Sequence, residues 1–230
     1  EKEYMMITSA MANPQKPFTA ILGGAKISDK IDVIERFITI ADQIVIGGAM
    51  ANTFLKYRGY KIGKSIHEEG LEYIMRRIYV AAEKKTDNVD EFIILPVDVA
   101  VATAIKPSAR RTVVAVSDVA DNEYILDIGT ESIHRAVEAI AISHTVVWNG
   151  TLGYAELPKF AHGSARIALA LAQRNDQLMS VVGGGDTADF VLHWDGGSGT
   201  GFDHISTGGG ASIELMAGVK RPGTEALMDV

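Results

Sequence analysis

The sequence predicts an α/β fold: a doubly wound, about six-stranded parallel sheet with helices on both faces (Rossmann-like), plus a small antiparallel ribbon at one edge. Short apolar runs rich in β-branched residues alternate about six times with helical patterns, and the runs end in glycine or in polar clusters. Parallel strands that are buried on both faces have this composition, and their alternation with helices is typical of a doubly wound sheet. The predicted strands are 18–22, 43–46, 92–95, 145–148, 179–182 and 204–206.

Helical patterns occupy most of the intervening sequence. They cover 26–41, 50–57, 68–85, 132–141, 160–174 and 211–217. Residues 97–128 interrupt the alternation with several short apolar runs, which favour the antiparallel ribbon. Residues 196–201 are so rich in glycine that we expect a loop.

Composition limits the classes of function that the chain could have. It has 230 residues, 47% hydrophobic and 22% charged, and its apolar runs are shorter than the ~18 residues that a membrane-spanning helix needs. The absence of cysteine excludes disulfides, thiolate metal sites and cysteine nucleophiles, so a metal would be bound through oxygen. A net charge of -7 disfavours nucleic acid and anionic lipid as partners.

Five glycine-containing clusters follow predicted strands. They are 23–26, 47–48, 149–153, 183–187 and 206–210. In open α/β sheets, ligands bind at the carboxyl ends of the strands, where helix N-termini offer free N–H groups. One glycine pair after a strand is more often a tight turn, but five such clusters along one sheet favour a ligand that approaches the backbone closely. A phosphate chain is such a ligand.

The cluster 183–187 adds a carboxylate, Asp186, where a helix begins. One interpretation is a helix N-cap, a position that Asp favours. The other is that Asp186 binds Mg²⁺ while backbone N–H groups and the Thr187 hydroxyl hold phosphate oxygens, because Mg²⁺ is usually held by one or two carboxylates plus substrate phosphates.

Lys26 and Lys30 lie four residues apart at a predicted helix start. Their mutual repulsion and their opposition to the helix dipole cost roughly 0.3–1 kcal/mol per charge. A bound anion would turn that cost into attraction, and a lysine there could act on a transferring phosphoryl group. The alternative is two solvated lysines partly compensated by Asp29. Likewise, Asn149 and Glu156 are either loop residues or nucleotide ligands, Glu156 being suited to ribose hydroxyls.

Two other candidate sites are rejected, a P-loop and a histidine metal site. Residues 59–65 resemble a P-loop but have three residues instead of four between the glycines, and no strand precedes them. The six histidines are scattered, and none falls in a metal-binding spacing.

The ordered set of motifs resembles the phosphoglycerate kinase family over essentially the whole chain, and specifically its C-terminal, nucleotide-binding half. The motifs that carry the resemblance are Gly-Gly-Ala-Lys at 23–26 with Lys30, Ile-Gly-Gly at 46–48, Gly-Lys-Ser at 63–65, Trp-Asn-Gly at 148–150, Gly-Gly-Gly-Asp-Thr at 183–187 and Ser-Thr-Gly-Gly-Gly-Ala at 206–211. The resemblance implies phosphoryl transfer between 1,3-bisphosphoglycerate and ADP, or from ATP to 3-phosphoglycerate in the reverse direction. Its cofactor would be Mg²⁺ with ADP or ATP.

The resemblance also implies roles for individual residues. Lys26 would contact the phosphoryl group in flight, the N–H groups of Gly184 and Gly185 would stabilise its oxygens, and Asp186 would hold Mg²⁺. The other implied nucleotide contacts are Gly24, Ala25, Lys30, Gly47, Gly48, Ile66, Gly129, Asn149, Gly153, Tyr154, Glu156, Gly183 and Thr187. In this set Lys30 and Asn149 would face the phosphates, Glu156 the ribose, and Gly47, Gly48, Ile66, Gly129 and Tyr154 a hydrophobic adenine slot. A helix facing the cleft would begin at Ser206, Thr207, Gly208 and Gly209.

Some residues depart from the family pattern. Thr151 and Leu152 stand where Pro and Met are usual, Gly48-Ala49 replaces a longer glycine run, and Tyr154 replaces a smaller apolar residue. We expect residues 1–12 to be a remnant of an interdomain hinge helix, 13–218 the nucleotide-binding domain, and 219–230 a tail that returns toward an N-terminal lobe. No counterpart of that lobe is found, and the first residue is Glu1, so the chain resembles a piece of a longer polypeptide. We therefore expect a cytoplasmic monomer that binds nucleotide and has little or no turnover alone. We expect it to bind 3-phosphoglycerate or 1,3-bisphosphoglycerate only together with the N-terminal lobe.

Two other functions are compatible with the fold class. A nucleotide-binding module without catalysis would not require both Lys26 and Asp186. A dinucleotide-dependent oxidoreductase would need a glycine fingerprint followed ~20 residues later by an acidic residue, and none of the predicted strands carries it.

Overall fold

The computed structural model describes residues 5, 7, 8, 12–208 and 215. The strands of this part are β1 (Phe18–Leu22), β2 (Gln43–Ile46), β3 (Ile93–Ile94), β4 (Asp98–Ala102), β5 (Thr112–Ala115), β6 (Tyr124–Ile128), β7 (Thr145–Asn149), β8 (Met179–Gly183) and β9 (His204–Ser206). Six of them form one parallel sheet in the order β3-β2-β1-β7-β8-β9. The predicted doubly wound α/β fold is confirmed.

Helices cover both faces of this sheet. They are α1 (Ile31–Ile40), α2 (Gly48–Tyr57), α3 (Glu72–Lys85), α4 (Val89–Phe92), α5 (Thr130–Ile142), α6 (His162–Ala172) and α7 (Gly185–Trp194). Alternate residues of β1 point to opposite faces: Phe18, Ala20 and Leu22 pack with α1 and α3, whereas Ile21 packs with α5 and α6. All five residues of this central strand are buried, which explains its uninterrupted apolar sequence.

The antiparallel segment forms a sheet of its own, in the order β5-β4-β6. Its register shifts between Ala100 and Val101, where β4 pairs with β6. Val99 and Val101 pack with Leu55 and Ile62 in a small separate core. This core attaches the sheet to α2, next to the carboxyl ends of the main strands.

Several predicted element bounds differ from the structure. The predicted helix 26–41 starts as a 3₁₀ turn over Ser28–Lys30 and becomes α-helical only at Ile31, because Lys30 has φ −130° and turns its side chain toward the strand ends. The predicted helix 68–85 begins at Glu72, since Gly70 adopts φ 73° and Glu68 accepts the hydrogen bond of the Ser28 backbone N–H. The predicted strand 92–95 is reduced to β3, because Phe92 ends α4.

Predictions at the two ends of the chain lie largely outside the described residues. These are the hinge helix 1–12, apart from residues 5, 7, 8 and 12, the helix 211–217, apart from Leu215, and the tail 219–230. Ile7 is fully buried in the same core as α1 and α3, and Leu215 packs against that core. Among the helices of the described residues, none has the length and apolar character that crossing a bilayer requires.

Candidate functional site

The carboxyl ends of β1, β2 and β7 are joined by backbone hydrogen bonds. The N–H of Gly23 donates to the carbonyl of Asn149 (2.9 Å), that of Gly24 to Thr151 (2.8 Å) and that of Gly48 to Leu152 (2.9 Å). These bonds run from the ends of β1 and β2 to the segment after β7. The three strand ends therefore form one connected layer of backbone.

Glycine is required in this layer by the chain itself. A Cβ at Gly23 would lie 2.2 Å from the Thr151 carbonyl oxygen, and one at Gly150 would lie 2.2 Å from the Gly23 carbonyl oxygen. A Cβ at Gly48 would lie 2.7 Å from the Gly24 backbone, and one at Gly47 would lie 2.5 Å from a Leu152 methyl carbon. At these four positions the group that approaches closely is another part of the protein.

Lys30 holds this layer together from inside. Its side chain is buried, and its ammonium group donates to the carbonyls of Gly23 (2.7 Å) and Asn149 (3.3 Å). Burial lowers the pKa of Lys30 to about 8, although Asp29 and Asp186 favour the charged form. Two of the three N–H donors of the Lys30 ammonium group thus bind backbone carbonyls. The side chain of Lys26, in contrast, is exposed.

The end of β8 is open. Gly184 adopts φ 93° and occupies the N-cap position of α7, and a Cβ on Gly185 would meet nothing within 4 Å. Asp186 lies exposed in the first turn of α7, so it is not the N-cap that one interpretation of the sequence assigned to it. Thr187 is buried, and its hydroxyl oxygen accepts the N–H of Gly150 (2.7 Å), which ties α7 to the end of β7.

A cavity of about 170 Å³ lies between these strand ends and the antiparallel sheet. Eight predicted site residues line it: Gly24, Ala25, Gly48, Ile66, Gly153, Tyr154, Glu156 and Asp186. Apolar groups of Pro96, Val99 and Leu126 complete its wall. The structure therefore gathers residues from seven separate segments of the sequence around one space.

The other predicted residues lie outside this lining. Gly47, Asn149, Gly183 and Thr187 are buried behind it, and Gly129 is buried at the N-cap of α5, where its N–H donates to the Asp98 carbonyl (2.9 Å). Lys26, Lys30, Gly184 and Gly185 border the strand ends but do not line the cavity. Ser206 is buried at the end of β9, Thr207 and Gly208 are exposed, and Gly209 lies outside the described residues.

Two polar residues of the wall were not identified from the sequence. Asn52 is 1% exposed; its Nδ2 donates to the Ile66 carbonyl (2.9 Å), and its Oδ1 has no hydrogen-bond partner among the described residues. An amide within the apolar first half of α2 was the available signal. Asp127, on β6, is 2% exposed and lines the cavity. Its signal in the sequence was a carboxylate within an apolar strand.

The Asp127 carboxylate is held by backbone donors. Its Oδ2 accepts the N–H of Gly163 (3.0 Å), and its Oδ1 accepts the N–H of Ile128 (2.9 Å). Burial raises the pKa of Asp127 to about 7, against the opposite influence of these N–H groups and of Arg111. A carboxyl whose charge changes near neutral pH thus lies in the cavity wall.

A second cavity of about 670 Å³ lies alongside and shares Thr151, Glu156 and Asp186 with the first. Its wall on α7 includes Phe190 and Trp194. Glu156 and Asp186 therefore stand at the boundary between two open spaces.

Within 12–208 and the other described positions, no group of three or more Asp, Glu or His side chains could hold a metal ion. A cation beside Asp186 would depend on that one carboxylate and on oxygens of a bound ligand. This donor set fits Mg²⁺, which keeps most of its coordination for water and substrate phosphates. It does not fit a metal held by protein ligands alone.

Comparisons with known proteins agree with this arrangement. The family model described as phosphoglycerate kinase matches residues 1–219. Phosphoglycerate kinases from Pelotomaculum thermopropionicum and Chloroflexus aurantiacus are 41% and 42% identical over the full length of this chain, which covers 56% of each of them. The phosphoglycerate kinase structure from Coxiella burnetii aligns with a TM-score of 0.90 at 35% identity, over 99% of this chain and 57% of that one.

The chain thus spans about half the length of the curated relatives that it matches, and it corresponds to their C-terminal half. The family model, the sequence identities and the shared fold lead to the same conclusion. The chain belongs to the phosphoglycerate kinase family.

Proposed function

We propose that this chain is the nucleotide-binding half of a phosphoglycerate kinase. It would bind MgADP or MgATP for phosphoryl transfer between 1,3-bisphosphoglycerate and ADP, a glycolytic reaction of the cytoplasm. The observation that carries the proposal is the cavity, whose apolar wall extends to Asp186, a carboxylate in the first turn of α7 beside the open N-terminus of that helix. A nucleotide needs this combination: a crevice for the base, and N–H donors with a metal-binding oxygen for the phosphates.

The base and ribose would occupy the cavity itself. Ile66 and Tyr154 are partly exposed on its wall, and Val99 and Leu126 extend the apolar surface, so the base would be held by burial of its faces. Glu156, which lines both cavities, would accept hydrogen bonds from ribose hydroxyls.

The phosphates would lie across the strand ends toward α7. The N–H groups of Gly184 and Gly185 and the positive end of the helix dipole favour negative charge there. Asp186 would hold Mg²⁺, which supplies charge neutralisation for the phosphate oxygens when bound. Lys26, which is exposed, is free to move onto the phosphoryl group, whereas buried Lys30 contributes its positive charge from beneath the strand ends.

Calorimetry of MgADP binding to this chain tests the proposal. We expect saturable binding that weakens by about tenfold in Asp186→Asn, because the metal loses its one protein ligand. Lys61→Met is a matched surface control, and we expect it to bind as the wild type does. Undetectable MgADP binding, or NAD(P)H binding of comparable strength, would contradict the proposal.

Turnover is a separate part of the proposal. We expect little or no phosphoglycerate kinase activity from this chain in a coupled assay, because the acceptor's binding residues are expected on the absent lobe. In the complete enzyme, Lys26→Ala should lose turnover and retain ADP affinity. Normal turnover in this variant would show that Lys26 does not act on the phosphoryl group.

A further inference from the structure

We propose that Asp127 is a positioning residue for nucleotide binding, which holds the loop 150–161 against β6 through the N-terminus of α6. This inference rests on the proposed function, because it assigns Asp127 to the nucleotide site. Asp127 would not touch the nucleotide's reacting atoms. It would fix the residues that do contact the nucleotide.

The first support is the connection that the carboxylate makes. Asp127 belongs to the antiparallel sheet, yet its Oδ2 accepts the N–H of Gly163, 36 residues away in α6. The N–H of Gly163 is one of the donors that a helix leaves unpaired in its first turn, and Ala161, before the helix, makes no side-chain cap bond. Asp127, which lies on a neighbouring strand, therefore takes the place of a helix cap.

The second support is the shape around the carboxylate. A Cβ at Gly153 would lie 2.5 Å from Asp127 Oδ1, and one at Gly163 would lie 2.6 Å from the same oxygen. Two glycines from different segments thus leave the space that this carboxyl group fills. A methyl group added at either glycine would collide with this carboxylate.

The third support is the link to the cavity. The N–H of Tyr154 donates to the carbonyl of Leu126 (2.7 Å), directly beside Asp127. Gly153, Tyr154 and Glu156 line the cavity on the loop side, and Tyr124 to Ile128 line it on the strand side. The position of Asp127 thus sets the spacing of two walls.

The charge of the carboxylate is part of this arrangement. As a carboxylate, Asp127 accepts both N–H bonds, whereas a proton on Oδ2 would compete with the Gly163 N–H. The Arg111 side chain, from the segment before β5, acts on it electrostatically, and His162, the first residue of α6, acts on it through its backbone N–H. Arg111 favours the carboxylate, and the pKa of His162 is itself lowered by burial and by Arg111. Binding that requires the ordered loop should therefore favour the ionised form of Asp127.

Asp98 provides a matched control. It lies on β4, next to β6, and its carboxylate accepts N–H bonds from Glu131 (3.0 Å) and Ser132 (2.8 Å) at the N-terminus of α5. It does not line the cavity. Asp98→Asn and Asp127→Asn thus disturb equivalent contacts at two helix starts, only one of which faces the proposed site.

The experiment measures MgADP affinity at pH 8 for the wild type and both variants, with unfolding curves for each. We expect Asp127→Asn to weaken binding at least tenfold and Asp98→Asn to change it less than about twofold, at comparable losses of stability. Equal losses of affinity, or wild-type affinity in Asp127→Asn, would overturn the inference while leaving the proposed function intact. Absence of MgADP binding to the wild type would overturn both.

A second measurement needs no variant. The amide shift of Gly163 in the wild-type chain should titrate with a midpoint near the Asp127 pKa of about 7. Because ligand and proton binding are linked reciprocally, saturating MgADP should lower that midpoint. A midpoint that does not move when MgADP binds would show that the charge of Asp127 is not coupled to nucleotide binding, and a midpoint that rises would show that binding favours the protonated form. Either result would overturn the inference.

Discussion

The glycines at the ends of β1, β2 and β7 differ from those at the end of β8 in what lies beside them. A Cβ at Gly23 or Gly150 would collide with backbone of the same chain, whereas a Cβ at Gly185 would meet nothing within 4 Å. The same residue type after the same kind of strand therefore serves two purposes. Crowded glycines such as Gly23 and Gly150 let the chain pack on itself, and the open position at Gly185 leaves room for another molecule.

The difference follows from sheet order. β1 lies between β2 and β7, so three strand ends meet at the centre of the sheet and their connecting segments must pass close together. The gathered carbonyls there are satisfied by the ammonium group of Lys30. The segment after β7 packs on the ends of β1 and β2, where the N–H groups of Gly24 and Gly48 donate to Thr151 and Leu152, whereas a Cβ on Gly185, after β8, would meet nothing within 4 Å.

The largest expected effect is that of Gly150→Ala. Gly150 adopts φ 97°, and an added methyl would lie 2.2 Å from Gly23 and 2.7 Å from Lys30 Nζ. We expect a loss of more than about 4 kcal/mol in the free energy of unfolding, measured by denaturant titration.

Gly59→Ala is the control for backbone strain. Gly59 has a similar φ of 89° and nothing within 4 Å of its Cβ position, so alanine there should cost about 1–2 kcal/mol. Equal losses in the two variants would show that crowding at Gly150 is unimportant.

Lys30→Met should have the next largest effect. It removes the donor from two buried carbonyls, which we expect to cost about 2–4 kcal/mol at pH 7, whereas exposed Lys61→Met should cost less than about 0.5 kcal/mol. A cost as small as that of Lys61→Met would mean that Lys30 does not hold the strand ends together.

Stability should also depend on pH through Lys30. Its pKa falls from 10.5 to about 8 in the folded chain, so between these values the unfolded chain binds a proton that the folded chain has released. The free energy of unfolding of the wild type should therefore rise with pH across this window, by roughly 3 kcal/mol from this group. The Lys30→Met variant should lack that rise, and an identical slope in both proteins would contradict the assignment.

Gly185→Ala should affect stability least. Its Cβ position is open, and residue 185 begins α7, where alanine is favourable, so the free energy of unfolding should change by less than about 0.5 kcal/mol. We expect MgADP affinity to fall about tenfold, because the methyl occupies space proposed for phosphate. A stability loss like that of Gly150→Ala would remove the distinction between the two ends.

The sequence predicts the strands well where the apolar pattern alone decides the structure. The bounds of β1, β2 and β9 match their predictions, because these runs are short and bordered by polar residues or glycine. Helix starts were predicted too early at Lys26 and Glu68, where tertiary hydrogen bonds of Lys30 and Glu68 replace a further helical turn. Such bonds join residues far apart in sequence.

Only part of the candidate site was predictable from the sequence. The glycine clusters after β1, β2, β7 and β8 do lie at one edge of the sheet, as parallel topology requires. However, the crowding of Gly23 by Thr151 depends on the pairing of β1 with β7, across more than a hundred residues. The roles of Asn52 and Asp127 depend on contacts with Ile66 and Gly163 that have no local sequence signal.

Titration of the ¹⁵N-labelled chain with MgADP, followed by backbone amide shifts, tests most directly whether the two kinds of strand end differ. The predicted result is large, saturable shifts at Gly184, Gly185 and Asp186, with much smaller ones at Gly23 and Gly150, whose N–H groups donate to Asn149 and Thr187 within the chain. Larger shifts at Gly23 and Gly150 than at 184–186, or no saturable shift at the end of β8, would contradict the account.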